Sequence, residues 1–591
     1  MFDNLTGFEK ENINKMVKID TSWDEKPIDI TPEANFIWAI ANKLRGIYMP
    51  DKYGDVIIPM TIIRRFECAL EPTKDKVLAQ YEAMQKYPYK AMYKISGFQF
   101  YNTSKFDLKE LCNDPDNINA NFKSYLSGFS QDVQEILRNL DIESHIDKMD
   151  KGGCLYSVVK AFSELDLSVA KFDSIKMGYI FENLIARFYQ NVDAGQFYTG
   201  RDIIRLCVSL LLAEGSDDLF EDNKVITVLD QACGTGGMLS TAYTYLKHLN
   251  PTADVHLFGQ ELMGQSYAVG LAEMLIKNQN IDNFKHADTL KEDCFPDQKM
   301  RFVLENPPFG TPWGGKDAKQ GQEAAVKEEY SKGDSSRWPA GLPKTNDSQL
   351  LFVQSAISKL NENGRAAIIE NGSPLFTGDT SSGESQIRRW LLDNDYLDAI
   401  VALPTDLFYN TELATYIWIL SKNKTSRRKG KVQFIDATNI YEKLRKPLGK
   451  KKNEFSKENR QQITKLYTNF AENDLSQIHE NSEFIYREYT VMQPLQRSYA
   501  INDDRIKLMI PKLSSFFDQV KFDDLNDRTA ELSSKDQKQL IKLQKNKAAY
   551  DQLMTVLEEN KSEKVYRSRK DFEPVINGLV SDFLDKKIIK K

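Results

Sequence analysis

Asn306-Pro307-Pro308-Phe309 is the segment of this chain with the clearest chemical content. It follows an apolar run, Phe302-Val303-Leu304, and opens into a glycine-rich stretch. A side-chain amide oxygen beside a backbone carbonyl can accept the two hydrogens of one planar amine. Held that way, the nitrogen turns pyramidal and its lone pair is freed for attack. Consecutive prolines fix φ and hold the Pro307 carbonyl in place. The Phe309 ring offers a flat face for a base extruded from a duplex. The amine that most needs such help is adenine's exocyclic nitrogen, whose lone pair is delocalised into the ring. Asn306, Pro307, Pro308 and Phe309 are therefore the candidate catalytic residues. Read alone, the same tetrapeptide is equally a tight turn after a buried strand, so its meaning rests on what precedes it.

What precedes it is a nucleoside-binding pattern. The apolar run Val228-Leu229 ends in Asp230, and Gly234-Thr235-Gly236-Gly237 leads into a helix expected from Met238 to Leu249. Glycines allow positive φ and close approach of a ligand. The helix N-terminus offers free N–H groups to a carboxylate. Glu261 follows the next strand, where an acid can accept from ribose hydroxyls. Asp288-Thr289 follows one unit later, where a carboxylate can accept from an adenine amine. A capping acid at Glu261 and a turn residue at Asp288 are the plainer alternatives. No Gly-Lys-Ser/Thr follows the glycines, which excludes a Walker loop, and Gly-x-Gly-Gly is not the dinucleotide spacing. Together the two segments point to methyl transfer from S-adenosylmethionine to an exocyclic nitrogen. Methylation at cytosine carbon-5 needs a nucleophilic cysteine, usually after proline, and no cysteine here follows a proline. Cytosine N4 is the competitor left standing. No metal is required.

The elements that must position these residues are legible in the periodicity. Residues 1–168 read as a helical N-terminal domain. Its helices are expected around Ile37–Arg45, Ile57–Phe66, Val77–Met84, Val133–Leu140 and Val158–Leu165, with Pro59 in a first turn. Residues 169–440 alternate β-branched runs with helical stretches, the signature of a parallel sheet with crossover helices. The runs are Val225–Leu229, Val255–Gly259, Phe302–Leu304, Ala366–Ile369, Ala399–Ala402 and Tyr416–Leu420. Thr311–Ser348 is too long for a plain connection and reads as a functional or mobile loop. Residues 441–591 read as a helical C-terminal region opened by a lysine-rich linker, Lys443–Lys452. Leu540, Leu543, Tyr550, Met554 and Leu557 step like a short coiled-coil seam, or equally like an amphipathic helix docked on its own chain.

Composition narrows the class. No apolar run approaches the ~20 residues needed to span a bilayer, and the N-terminus lacks a signal-peptide pattern. Six scattered cysteines without a CxxC pair argue against disulfides or zinc and for a reducing cytoplasm. The formal charge of −6 is unusual for a lone DNA binder. Either a local basic face or another subunit must supply the grip.

At these residues the chain resembles the modification (M) subunits of type I restriction–modification systems, DNA adenine-N6 methyltransferases. The resemblance extends to Gln196-Phe197-Tyr198-Thr199-Gly200-Arg201, similar to the family segment that folds over the methionine end of the cofactor. It continues through Gly364–Ile369, Asn371-Gly372, Leu375-Phe376, Ile387–Leu392, Leu403-Pro404 and Leu407–Tyr409, and Ala41–Gly46 resembles the family's helical N-terminal domain. Gln231, Gly200 and Glu305 depart from the family pattern, the first two replacing frequent prolines. The resemblance implies an α/β Rossmann-like S-adenosylmethionine-dependent methyltransferase domain between helical flanks. Gln196, Phe197, Tyr198, Thr199, Gly200, Arg201, Asp230, Gly234, Thr235, Gly236, Glu261, Asp288 and Thr289 would hold the cofactor. It also implies double-stranded DNA as substrate, a specificity (S) subunit that reads the target, a second M subunit, and a restriction (R) subunit for cleavage. A protein glutamine methyltransferase and a catalytically silent assembly subunit are the rival expectations.

Overall fold

A computed structural model describes the chain except residues 1–30, 85–89, most of 173–198, 410, several between 487 and 495, 529–531 and 586–591. The chain divides into two compact units, Met1–Tyr486 and Arg487–Lys591.

The first unit is built on a nine-stranded mixed sheet. Its strands are β1 (Val225–Asp230), β2 (Asp254–Glu261), β3 (Phe284–His286), β4 (Met300–Glu305), β5 (Leu360–Asn371), β6 (Leu397–Ala402), β7 (Thr415–Ser421), β8 (Lys431–Asp436) and β11 (Ser476–Glu480). They lie in the order β11-β8-β6-β7-β5-β4-β1-β2-β3. Each β-branched run read from the sequence falls within a strand. The sheet is not wholly parallel, however. β7 runs antiparallel to both β5 and β6, and β11 antiparallel to β8. β7 follows β6 by a connection without a helix among the described residues, whereas β11 follows β8 by way of helix Lys457–Asn469.

Alternation along the strands divides the core. Val228, Phe302, Leu304, Ala367 and Ile369 face the helices Arg201–Leu212 and Gly237–Leu249. Leu229, Val303, Ile368, Ile400 and Trp418 face the helices Gln349–Lys359 and Gly383–Asp393. With both faces covered, the central strands are apolar through their middles. The N-terminal helices share the first of these cores. Helix Gly54–Leu70 is apolar nearly all round and buries Val56, Ile57, Met60, Ile62, Ile63 and Phe66. It begins at Gly54, so Pro59 lies in its second turn rather than its first.

The sheet does not stop at 440. Helix Lys457–Asn469 packs on it and β11 closes its edge. The stretch anticipated as a lysine-rich linker is a two-stranded hairpin, β9 (Glu442–Leu448) with β10 (Lys451–Glu454). The second unit is helical, with Asp503–Leu513, Gln519–Asp527, Ser534–Glu559 and Arg569–Asp585. The seam of Leu540, Leu543, Tyr550 and Leu557 is buried within this unit against Phe517, Leu525, Val580 and Phe583. It is docked on its own chain. Lys547 is tolerated in the seam because its Nζ lies 5.7 Å and 5.6 Å from the ring centres of Phe517 and Phe522.

One buried polar cluster ties the far half of the sheet together. Asp398 on β6 accepts from Arg428 Nε at 2.7 Å, from Arg365 Nη2 at 3.2 Å and from the Tyr467 hydroxyl. Arg365 also donates to the Leu211 carbonyl, and Arg428 to the Tyr467 carbonyl and Gln433 Oε1. Burial pushes the Asp398 carboxyl up, but the two guanidiniums and the phenol outweigh it and bring it down to about 2. Asp398→Asn strands two buried guanidiniums and should cost about 3–5 kcal/mol in denaturant unfolding at neutral pH. The folded value lies below the ordinary one, so this stability is present above about pH 4 and lost as pH falls toward 2. The gap between parent and variant should narrow over that window by about 2 kcal/mol. A gap unchanged at pH 2 would contradict the assignment.

Candidate active site

The chain leaves β1 toward β2 and β3 on one side, then returns to β4 on the other. At such a switch point the connections part and leave a crevice at the carboxyl ends of the strands. Register fixes what borders it. Val228 and Leu229 pair with Phe302 and Val303, so β1 ends in Asp230 beside the end of β4, where Asn306 begins.

On the β1 side the glycine turn takes the expected form. Gly234 and Gly236 have φ of 53° and 72°. A Cβ at Gly234 would meet nothing within 4 Å, so the turn opens onto free space. Behind it, a Cβ at Gly270 would lie 3.1 Å from the Thr235 backbone, so helix Gly264–Ile276 presses directly on the turn. Helix Gly237–Leu249 starts at Gly236 with no side-chain cap and no acid in its first turn. Glu261 is fastened to the turn, with Oε2 accepting from Gly234 N at 2.8 Å and Oε1 from Met263 N at 2.6 Å. Each carboxylate oxygen has a second lone pair for a ligand hydroxyl.

Asp288 accepts from Leu290 N at 3.0 Å and from the Gln322 side-chain NH2 at 3.1 and 3.3 Å. That amide is a planar donor of the kind an adenine amine would be. Thr289 does not face a ligand in this structure. Its hydroxyl donates to the Gln231 carbonyl, and its own carbonyl accepts from Arg337 at 2.6 Å.

The carboxyl ends of β2, β1, β4 and β5 carry Glu261, Asp230, Glu305 and Glu370 in a row. Burial, opposed by the Ala232 N–H and reinforced by Glu261, pushes Asp230 up to about 8. Burial also raises Glu305, with Asp230 adding, and Glu370, with Asp347 and Glu305 adding. Burial thus holds these carboxyls toward their neutral forms, so the edge carries less negative charge than its composition suggests. The residues present fit S-adenosylmethionine: an open glycine cradle, an uncapped helix N-terminus for its carboxylate, Glu261 for its ribose and Asp288 for its adenine.

On the β4 side, Asn306 Nδ2 donates to Thr199 Oγ1 at 2.7 Å. Thr199, a candidate cofactor residue, thus orients the Asn306 amide. Gly200 caps helix Arg201–Leu212 in an extended conformation that any residue adopts. Arg201 is buried in the first helical turn. Gln196, Phe197 and Tyr198 lie outside the described residues. Pro307 is buried and Pro308 half-buried. Phe309 departs from expectation. Its ring is 5% exposed and belongs to the main core, so an apolar ring has gone where water is excluded and offers no open stacking face. The exposed aromatic at this edge is Phe376, 76% exposed just past β5.

Thr311–Ser348, expected as a loop, is a packed insertion. Trp313 and Trp338 are buried with Leu290, Val326 and Leu351, and each indole N–H reaches a carbonyl, those of Lys344 and Leu351. The insertion brings Gln322 and Arg337 onto the Asp288-Thr289 segment. Sequence reasoning missed both, although two tryptophans in a Gly-, Lys- and Ser-rich stretch are a signal of packing.

Among the described residues no group of histidines, cysteines or acids could hold a metal, and no helix is long and apolar enough to cross a membrane.

Comparison with known proteins bears on this geometry. The N-6 DNA methylase family model matches residues 173–500, and the HsdM N-terminal domain model matches residues 34–162. The chain is 27% identical over 361 residues to the type I restriction enzyme MjaVII methylase subunit of Methanocaldococcus jannaschii, covering 60% of this chain and 56% of that one. It is 29% identical over 269 residues to the HindI methylase subunit of Haemophilus influenzae, covering 45% and 54%. The chain thus spans about half the length of these relatives. Its fold matches that of a type I restriction–modification system methyltransferase subunit from Streptococcus thermophilus, with a TM-score of 0.60 at 21% identity over 76% of this chain and 96% of that one. With the methylase match running from 173 to 500 and its catalytic-type segment seated at the switch point, the chain belongs to the N-6 DNA methylase family.

Proposed function

We propose that this chain is the methylating subunit of a type I restriction–modification complex, transferring a methyl group to adenine N6 in double-stranded DNA. The observation that carries the reading is Asn306, held by Thr199 at the end of β4, across the switch point from an open glycine turn at the end of β1. S-adenosylmethionine, when bound, supplies a methyl carbon made electrophilic by its sulfonium.

The residues of this chain do the rest. Thr199 takes one hydrogen of the Asn306 amide, which turns the amide carbonyl toward the crevice as an acceptor. Pro307, lacking an N–H, contributes its carbonyl as the second acceptor. Together they fix the amine and turn its lone pair out of conjugation. Most of the acceleration then comes from orientation. When bound, the cofactor would give up its methyl group and keep the C–S electron pair on sulfur, and the amine's surplus proton would leave to solvent.

The relatives' names as type I methylase subunits support a partner that selects the sequence. A specificity subunit is assigned that task here, with a second M subunit and a restriction subunit completing the complex. The cytoplasm is the compartment this reading requires. Gln196, Phe197 and Tyr198 remain assigned to the methionine end of the cofactor.

Asn306→Ala should lower labelled methyl transfer to duplex DNA about a thousandfold or more, while the cofactor dissociation constant changes by no more than about twofold. A loss of cofactor affinity matching the loss of rate would contradict the assignment. Gly234→Asp should do the reverse. Asp tolerates positive φ, so the fold and its melting temperature should persist, but the side chain enters the cradle and cofactor affinity should fall at least about tenfold by titration calorimetry. Unchanged affinity would place the cofactor elsewhere. Label recovered in a protein fraction, not in DNA, would favour a glutamine methyltransferase. No label in either, with and without co-purified subunits, would favour a silent assembly role.

A further inference from the structure

The chain carries a net charge of −6, yet one element beside the site is strongly basic. The hairpin of β9 and β10 presents Lys443, Arg445, Lys446 and Lys450 to solvent, all exposed. Among the described residues, the direct ion pairs of this hairpin are made by its other lysines, although Glu412 also feels the charge of Lys450. Lys451 is bound by Asp202, and Lys452 by Asp406 and Glu412. The four outer cations lie within eight residues, so they repel one another in the absence of a partner.

The hairpin has no core that would justify it. Along β9 only Leu444 and Leu448 are even half-buried. It is nevertheless stitched down at its β10 side. Lys450 N donates to the Tyr409 carbonyl at 2.8 Å, and the amides of Lys452 and Asn453 donate to the Asp406 carbonyl at 2.9 and 3.1 Å. Asn453 Nδ2 donates to the Thr405 carbonyl and Lys451 Nζ to the Leu407 carbonyl. A Cβ at Gly449 would lie 2.4 Å from the Tyr409 carbonyl oxygen, so the turn sits flush on that segment.

The anchoring also leads to the catalytic residue. Lys451 Nζ lies 3.3 Å from the place a Gly200 Cβ would occupy, and the neighbouring Thr199 holds the Asn306 amide. Backbone hydrogen bonds thus hold this charge run beside the crevice, and among the described residues no direct ion pair neutralises Lys443, Arg445, Lys446 or Lys450.

We propose that the β9–β10 hairpin grips the phosphate backbone of the duplex next to the target adenine. The inference rests on the methyl-transfer reading above. It assigns the local basic face that an acidic chain needs if it is to touch DNA itself. Cations contribute to such binding by displacing condensed counterions, so their loss has a measurable signature in salt dependence.

The test uses the full-length chain with any subunit that co-purifies. The substrate is a duplex carrying a sequence that methylome sequencing shows it to modify. In a variant with Lys443→Gln, Arg445→Gln, Lys446→Gln and Lys450→Gln, duplex affinity near 0.1 M salt should fall about tenfold or more. The slope of log affinity against log salt should become shallower by about 2 to 4. The loss should appear in the KM for DNA, with cofactor affinity and melting temperature as in the parent. Exchanging lysine for arginine and arginine for lysine at the same four positions should restore the slope. A variant with the parent's slope and KM would overturn the hairpin assignment while leaving methyl transfer standing. A parent that transfers no methyl to DNA would overturn the reading beneath it.

Discussion

The pairing of β1 with β4 is the constraint on which the rest depends. Because the chain departs from β1 in one direction and returns on its other side, two strand ends with different chemistry are brought edge to edge. One ends in an acid and a glycine turn, the other in an amide and two prolines. Nothing in either segment alone specifies the other. Their distance is set by a parallel register through Val228, Leu229, Phe302 and Val303, all buried and therefore costly to slip.

Around that pairing the fold spends its polar groups on position. Glu261 ties the end of β2 to the glycine turn, Thr199 ties the start of helix Arg201–Leu212 to Asn306, and Gln322 ties the insertion to Asp288. The Asp398 cluster does the same for the distal half of the sheet, joining β5, β6, β8 and helix Lys457–Asn469 through charged hydrogen bonds. The acids along the carboxyl edge are a different case. Burial holds Glu305 and Glu370 toward their neutral forms, so the floor of the crevice carries less negative charge than its composition suggests.

The strands around the crevice were legible because they are apolar, β-branched and buried on both faces. The short β3 and the polar-edged β8 and β11 were not, since Phe284–His286 and Ser476–Glu480 carry no sustained alternation. The β9–β10 hairpin reads as a linker in sequence because its lysines hide the pairing of the two strands, and its anchoring to the Tyr409 and Asp406 carbonyls is a tertiary contact that no local pattern reveals. In the candidate site, the types and spacing of Asn306, Gly234 and Glu261 carry the sequence reading. The burial of Phe309, the hold of Thr199 on Asn306 and the reach of Gln322 to Asp288 are tertiary facts. They depend on which elements meet, and spacing along the chain does not contain that.

The most direct test of the central claim is an experimental structure with a cofactor analogue and a duplex bearing the modified sequence. The account predicts the adenine amine about 3 Å from both Asn306 Oδ1 and the Pro307 carbonyl, with the methyl position opposite and in line above the glycine turn. An amine held elsewhere, or an analogue bound away from Gly234 and Glu261, would contradict it.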